Sequence, residues 1–227
     1  MIILLTVAIA PSLALFSYFY LRDQFATEPS KLLFHCFIYG AVLTFPILFV
    51  QYVFDAEGVF SNVFTQSVLF ASIVEEFFKW LVLVIAIYRH VDFEDPYDGI
   101  LYGASISLGF ATVENILYLL EFGLEIAFIR AFLPVSSHAL FGVVMGYYFG
   151  RAKFSNHQSG RKWLVWALCA SLALHMLYNA ILYFNDSNWL YGIVPFMLFL
   201  WWFGLRKVKQ AHQLTLTHYR NRPDIQP

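Results

Sequence analysis

"SIVEEFFKW", residues 72–80, sets two adjacent glutamates and a lysine near the middle of a run otherwise fit to cross a membrane. The surroundings of Glu75, Glu76 and Lys79 decide how the chain folds. Of 227 residues, 60% are hydrophobic, 20% aromatic and only 13% charged. Soluble domains carry about a quarter charged residues, so the composition is that of an integral membrane protein. The net charge of -1 argues against a nucleic-acid partner. Cys36 and Cys169 lie within apolar runs and suggest no disulfide framework.

Apolar segments of about 20 residues suffice to span a bilayer as helices. Seven are legible, at approximately Ile2–Leu21, Leu32–Phe54, Val63–Tyr88, Gly99–Leu120, Ala127–Phe149, Trp163–Phe184 and Trp189–Leu205. The expected fold is therefore an all-α, polytopic transmembrane bundle. The first segment has no basic residue before it, unlike a cleavable signal peptide, and reads as a permanent span. Residues 1–205 form one membrane domain and 206–227 a basic tail too short and polar to fold alone. With no internal repeat and no linker, chemistry has to take place within the membrane domain.

Twelve of the fourteen Lys and Arg fall on one side of this arrangement, in the odd-numbered connections and the tail; Arg130 belongs to the other side and Lys79 to a span. Basic residues mark the cytoplasmic side, which puts the N-terminus outside and the C-terminus inside.

A charged side chain at a span centre costs roughly 2.5–3.5 kcal/mol on insertion scales. Glu75, Glu76, Lys79 and Glu114 together would cost on the order of 10 kcal/mol if charged and unpaired. A Glu75–Lys79 pair, four residues apart on one helical face, accounts for one glutamate and leaves the other unexplained. Other spans carry matching polar groups. "GFATVENILY" holds Glu114 and Asn115, "LPVSSHALFG" holds His138, and "LALHMLYNA" holds His175 and Asn179 one turn apart. A lone histidine on an apolar helix is usually a satisfied core residue. Here, at about 1.5 Å per residue, Glu75, Glu114, His138 and His175 all fall roughly 10–18 Å from the outer ends of their helices. Intramembrane ionisable groups face a bundle interior or a watery cavity, so a shared polar site is the better reading.

Glutamate serves as a general base when buried, and histidine titrates near neutral pH. Asparagine and histidine donate hydrogen bonds to a developing oxyanion. These are the parts for adding water to a peptide carbonyl. The His-Glu-x-x-His pattern of zincins is absent, as are Gly-x-Ser-Gly and Gly-x-Gly-Asp. A proton-coupled transporter is the competing class, since it too uses buried Glu and His, and prolines 11, 46, 134 and 195 could break its helices. Seven spans without a repeat suit it less well.

Glu75-Glu76-x-x-Lys79, Phe110-x-x-x-Glu114-Asn115, His138 and His175-x-x-x-Asn179, ordered over four successive spans, resemble the PrsW family of bacterial intramembrane proteases, relatives of the CAAX-processing enzymes. The resemblance extends to "APSLALFSYFYLRDQ" and "LFLWWFGLRK" and covers nearly the whole chain. It implies a multi-pass protein of the bacterial cell membrane that makes the first, outer-side cut in a membrane-anchored anti-sigma factor. A second intramembrane protease would finish the product, and a stress-response sigma factor would be released. In the CAAX-processing branch a histidine stands where this chain has Glu114, and an arginine ends the first motif where this chain has Lys79, so that branch's water-activating arrangement does not transfer intact. On the resemblance, Glu75 is the general base, with His138 or Glu114 helping to hold the water. His175 and Asn179 support the oxyanion, and Glu76 orients the set or pairs with Lys79. Neither a metal nor another cofactor is expected for this glutamate-dependent reading. A metallopeptidase using the same Glu and His side chains is the mechanistic alternative.

Three features have simpler readings. Gly99, Gly103 and Gly109 allow close helix packing. "DFEDPYDG", residues 92–99, is a solvated cytoplasmic turn with Pro96 and Asp98 starting the next helix. The basic tail anchors the cytoplasmic side.

Overall fold

Lipid offers no partner to backbone N–H and C=O groups, so a chain this apolar satisfies them within helices. In the computed structural model, which describes residues 1–23, 30–155, 157–184 and 188–221, every regular element is helical. Helices α1 (Ile2–Tyr20) and α2 (Ser30–Ala56) come first. Helix α3 (Ala71–Val82) follows, flanked by π-helical turns at Thr65–Phe70 and Leu83–Ile87. Next are α4 (Asp98–Phe122) and the short α5 (Ala127–Arg130), whose π-helical continuation Ala131–Val135 leads into α6 (Ser136–Phe154). The chain ends in α7 (His157–Phe184) and α8 (Trp189–Asn221).

Six helical stretches are long and apolar enough to cross a membrane: α1, α2, α4, Leu124–Phe154, Ser159–Phe184 and α8. The expected third span is also continuously helical from Thr65 to Ile87. It differs from the other six in that every 18-residue stretch of it holds three charged residues, Glu75, Glu76 and Lys79.

Helix α4 is the centre of the bundle. It is buried on nearly all sides from Asp98 to Thr112 and packs against α1, α2 and α6. Glycine makes this possible. A Cβ on Gly99 or Gly103 would strike the backbone carbonyl of Gly146 or Gly142 on α6, and one on Gly109 that of Phe37 on α2. Without a hydrophobic drive between helices in lipid, such backbone approach is what holds them together. The packing role expected for these glycines is the one observed.

The turn read as solvated is not. Asp95 and Asp98 are fully buried. Asp95 Oδ1 accepts from the Tyr97 amide at 2.6 Å and the Thr215 hydroxyl at 2.9 Å, and Asp95 Oδ2 accepts from the Tyr219 hydroxyl at 3.2 Å. The two hydroxyl donors come from beyond Arg206. Helix α8 does not stop at the membrane boundary but runs on to Asn221, with Val208, Ala211, Thr215 and Tyr219 buried and His212 stacked on Tyr97 at 4.3 Å. Tyr97 in turn donates to the Phe19 carbonyl at the end of α1 at 2.8 Å. The turn has the composition of a loop, but a returning helix supplies its carboxylates with donors and excludes water. Asp98 does begin α4, as the sequence suggests.

Most basic residues gather at this end of the bundle. Lys153 Nζ donates to the His90 carbonyl at 2.8 Å, and Arg89 and Arg161 border one cavity beside it. Arg130 lies at the opposite end. Arg222 falls outside the described residues.

Gly103→Val and Gly146→Val should each destabilise the bundle by about 3 kcal/mol or more, because the obstructing atoms are backbone and cannot swing aside. Gly204→Ala meets only the Leu140 Cδ2 methyl, at 2.6 Å, and should stay within about 1 kcal/mol of the parent. Thermal melts in detergent check the contrast.

Candidate active site

Helix α3 turns Ser72, Glu75, Glu76 and Lys79 toward the protein and leaves Ile73 and Phe77 exposed. Lys79 is fully buried, and Glu76 with it. The ammonium stands 2.9 Å from Glu76 Oε1 and 3.6 Å from Glu75 Oε2, and lies 4.1 Å above the Phe110 ring. The expected i,i+4 pair with Glu75 is thus present but longer than the i,i+3 bond to Glu76.

Two histidines complete the cluster, His138 two residues into α6 and His175 on α7. One oxygen or ring nitrogen from each of Glu75, Glu76, His138 and His175 lies within 4.8 Å of all the others. His138 Nδ1 is 3.3 Å from Lys79 Nζ and its Nε2 is 3.3 Å from Glu114 Oε2. An ammonium has protons to give and no lone pair, so His138 Nδ1 accepts, which assigns the ring proton to Nε2, donating to Glu114. His175 Nδ1 is 3.0 Å from Glu76 Oε1. A carboxylate only accepts, which assigns a proton to His175 Nδ1 and leaves the Nε2 lone pair free. That nitrogen faces Glu75 Oε2 at 4.0 Å. His175 is further fixed by stacking on Phe141, with centroids 5.0 Å apart.

Each histidine therefore has its own carboxylate: Glu114 holds His138, and Glu76 holds His175. Glu75 is different. Its Oε1 takes a 3.4 Å bond from Gln51 Nε2, while its buried Oε2 has no hydrogen-bond partner. Glu76 Oε2 is likewise buried without a partner.

The remaining expected residues surround this cluster without entering it. Glu114 is one step away through His138, and on its other side it meets Arg130 Nη2 at 3.4 Å. Asn115 accepts from Arg130 Nε at 3.1 Å and donates to the Ala8 carbonyl at 2.9 Å, tying α4 to α1 and α5. Asn179 Nδ2 donates to the Ser72 hydroxyl at 3.0 Å and the Ser67 carbonyl at 3.3 Å, fixing α7 against α3 one turn above His175.

Sequence reading did not assign Gln51 or Arg130 to the site. Gln51 carried a signal, as a polar side chain inside an apolar run. Arg130 was legible only as the basic residue of the outer side. Its inward reach depends on the turn before α6, and its guanidinium packs over the Tyr118 ring at 3.7 Å.

The four clustered side chains also suit a divalent cation in kind. Imidazole nitrogens and carboxylate oxygens are zinc ligands, four is the usual coordination number, and two carboxylate oxygens here are buried with no hydrogen-bond partner. His138 fits in a further respect, since ligating histidines commonly give their other N–H to a carboxylate outside the set, here Glu114.

Comparison with known proteins agrees with this chemistry. Residues 28–203 match the family described as "PrsW family intramembrane metalloprotease". The chain is 50% identical to Protease PrsW of Bacillus subtilis (strain 168) over 216 residues, 95% of this chain and 99% of that one. It is 49% identical to Protease PrsW of Geobacillus kaustophilus, over 92% of each chain. Protease PrsW of Clostridioides difficile is 29% identical over 83% of each. No solved structure matches. An all-helical membrane bundle that gathers glutamate and histidine in its interior, and that matches these proteases nearly end to end, belongs to the PrsW family of intramembrane proteases.

Proposed function

We propose that this protease hydrolyses a peptide bond near the outer face of the bacterial cell membrane, with Glu75 as the base that activates water. The observation that carries the assignment is the division of partners among the carboxylates. Glu76 and Glu114 each hydrogen-bond a histidine, whereas Glu75 bonds neither and faces its buried Oε2 toward the free lone pair of His175 at 4.0 Å. A water bridging Glu75 Oε2 and His175 Nε2 would be held by two acceptors, an arrangement that draws a proton from it. Lys79 supplies positive charge next to the carboxylate and to any oxyanion formed nearby. Asn179 is placed one turn outward, and to support that oxyanion it must release Ser72 or Ser67.

Glu75, Glu76, His138 and His175 are the residues that would hold a metal. A zinc ion held there would acidify bound water and polarise the scissile carbonyl. Without a metal, Glu75 accepts the proton and Glu76 and Glu114 orient the two rings; with one, Glu75 and Glu76 would help to hold the ion and Glu114 would still orient His138. A proton-coupled transporter would use the same residue types, but the family match favours proteolysis.

The substrate reading rests on the family resemblance: a single-span anti-sigma factor, cut first on its outer side and finished by a second intramembrane protease. The geometry is compatible with it. A groove of about 490 Å³ opens at the outer end, bordered by Tyr118, Arg130, Leu133, Pro134, Tyr178 and Trp189, and Arg130 connects it to Glu114. A substrate helix unwinds at least cost near the interface, where its freed backbone groups find water.

Purified protein reconstituted with a single-span anti-sigma factor tests this reading. The wild type should cut near the outer membrane boundary, as read by mass spectrometry of the product. Glu75→Gln should lower the rate by about 10²–10⁴-fold while the protein remains folded. A new terminus in the cytoplasmic half of the substrate helix would contradict the proposed placement, and near-normal turnover in the Gln variant would remove Glu75 as base.

Chelation addresses the metal. If the four donors hold an ion, cleavage should be lost with a chelator and return with zinc; full activity in chelator would show that the carboxylates work unaided.

The buried ammonium gives a separate test. Lys79→Met strands two carboxylates and should cost about 3–5 kcal/mol, whereas Lys79→Met combined with Glu76→Gln should be closer to the parent in stability. Equal losses in detergent melts would mean that Glu76 is not the principal partner.

A further inference from the structure

We infer that the cavity between the cytoplasmic ends of α3, α6 and α7 binds the phosphodiester headgroup of an anionic phospholipid. The cavity holds about 780 Å³ and is bordered by Arg89 after α3, Lys153 and Ser155 at the end of α6, and Arg161 and Leu164 at the start of α7. Three cationic side chains from three separate elements thus converge on one space, with no aspartate or glutamate among the described residues of its wall. Like charges brought together in this way repel unless an anion lies between them.

Two further observations say what the anion is attached to. Tyr88 and Ser155 complete the polar part of the wall, and Gly160 adds no side chain to it. A Cβ on Gly160 would come 3.0 Å from the Ala152 carbonyl and 3.6 Å from the Tyr88 hydroxyl. Beyond Leu164 the surface turns apolar and exposed, with Ile85, Val165 and Trp166 facing outward at 73%, 61% and 48% exposure. A cavity that is basic on its cytoplasmic side and continuous with a lipid-facing apolar surface suits an amphiphile: headgroup among the arginines, acyl chains along Ile85 and Val165. A free phosphate would use only the first half. Basic pockets between spans on the cytoplasmic side are where anionic headgroups are held. Lys153 is held beside the cavity by its bond to the His90 carbonyl, in the segment that follows Arg89. The general bias of basic residues toward the cytoplasm explains why these side chains are on this side. It does not explain their convergence on one cavity.

Native mass spectrometry of the full chain, purified with defined lipid, tests the site without reference to proteolysis. The wild type should retain phosphatidylglycerol in preference to phosphatidylcholine. Arg89→Gln with Arg161→Gln should reduce that retention about tenfold. Arg206→Gln with Lys209→Gln removes the same charge outside the cavity and should leave retention unchanged. Should the double arginine variant not purify folded, Ser155→Phe, which fills the space without altering charge, carries the same expectation as that variant. Millimolar inorganic phosphate should not displace the lipid. Equal losses in the two double variants would reduce the effect to a diffuse surface field and overturn the inference. Displacement by phosphate would overturn it in favour of a free-anion site, and absence of any preference in the wild type would overturn it outright.

Discussion

The ammonium of Lys79 is the interaction on which the interior depends. Taking a charge out of water costs several kcal/mol, and only partners with good geometry repay it. Lys79 is fully buried, yet it reaches Glu76, His138 and Glu75 at 2.9, 3.3 and 3.6 Å and lies over the Phe110 face. It therefore joins α3 to α6 directly, and to α7 through Glu76 and His175. Removing it would leave two carboxylates from one helical turn facing each other in an apolar interior. The charge balance is instructive. Three carboxylates, Glu75, Glu76 and Glu114, face two basic groups, Lys79 and Arg130. With all five ionised, the cluster would carry one negative charge more than these two cations neutralise. A proton, a metal ion or the positive end of a polarised substrate bond can each balance that excess, and this is the electrostatic condition a hydrolytic site needs.

Positioning such a network requires helices that do not shift. The glycine contacts of α4 with α6 and α2 supply this, because backbone against backbone leaves no rotamer to relax. Asp95 does similar work at the cytoplasmic end by drawing donors from its own turn and from α8. Polar groups thus gather in two places, one cluster in the interior and one that locks the ends of α1, α4 and α8 together.

Much of this was legible in the sequence because lipid makes the rules simple. Long apolar runs can only be helices, and an ionisable residue inside one stands out, so Glu75, Glu76, Lys79, Glu114, His138 and His175 could be named together. Partner choice was less accessible. Glu75 and Glu76 are both within reach of Lys79 by spacing, and rotamers decide which bond is shorter. Arg130 was placed correctly at the outer end, but its return toward Glu114 depends on the turn and π-helical segment around it. Asp95 was misread because a run of acidic residues with proline has the composition of a solvated turn. What buries it lies 120 residues later, at Thr215.

The pair of adjacent glutamates now has a physical account. Successive residues on an α-helix point about 100° apart, so two neighbours that reach one cation still meet different surroundings. On α3 that rotation sends Glu76 into the fully buried interior, where it binds Lys79 and orients His175. It sends Glu75 toward Gln51 of α2, where its side chain keeps 10% exposure and one oxygen without a hydrogen-bond partner. One helical step provides both environments. Glu114, at 20% side-chain exposure, is less enclosed than Glu76, and Arg130 gives it a cation of its own beside the bond from His138.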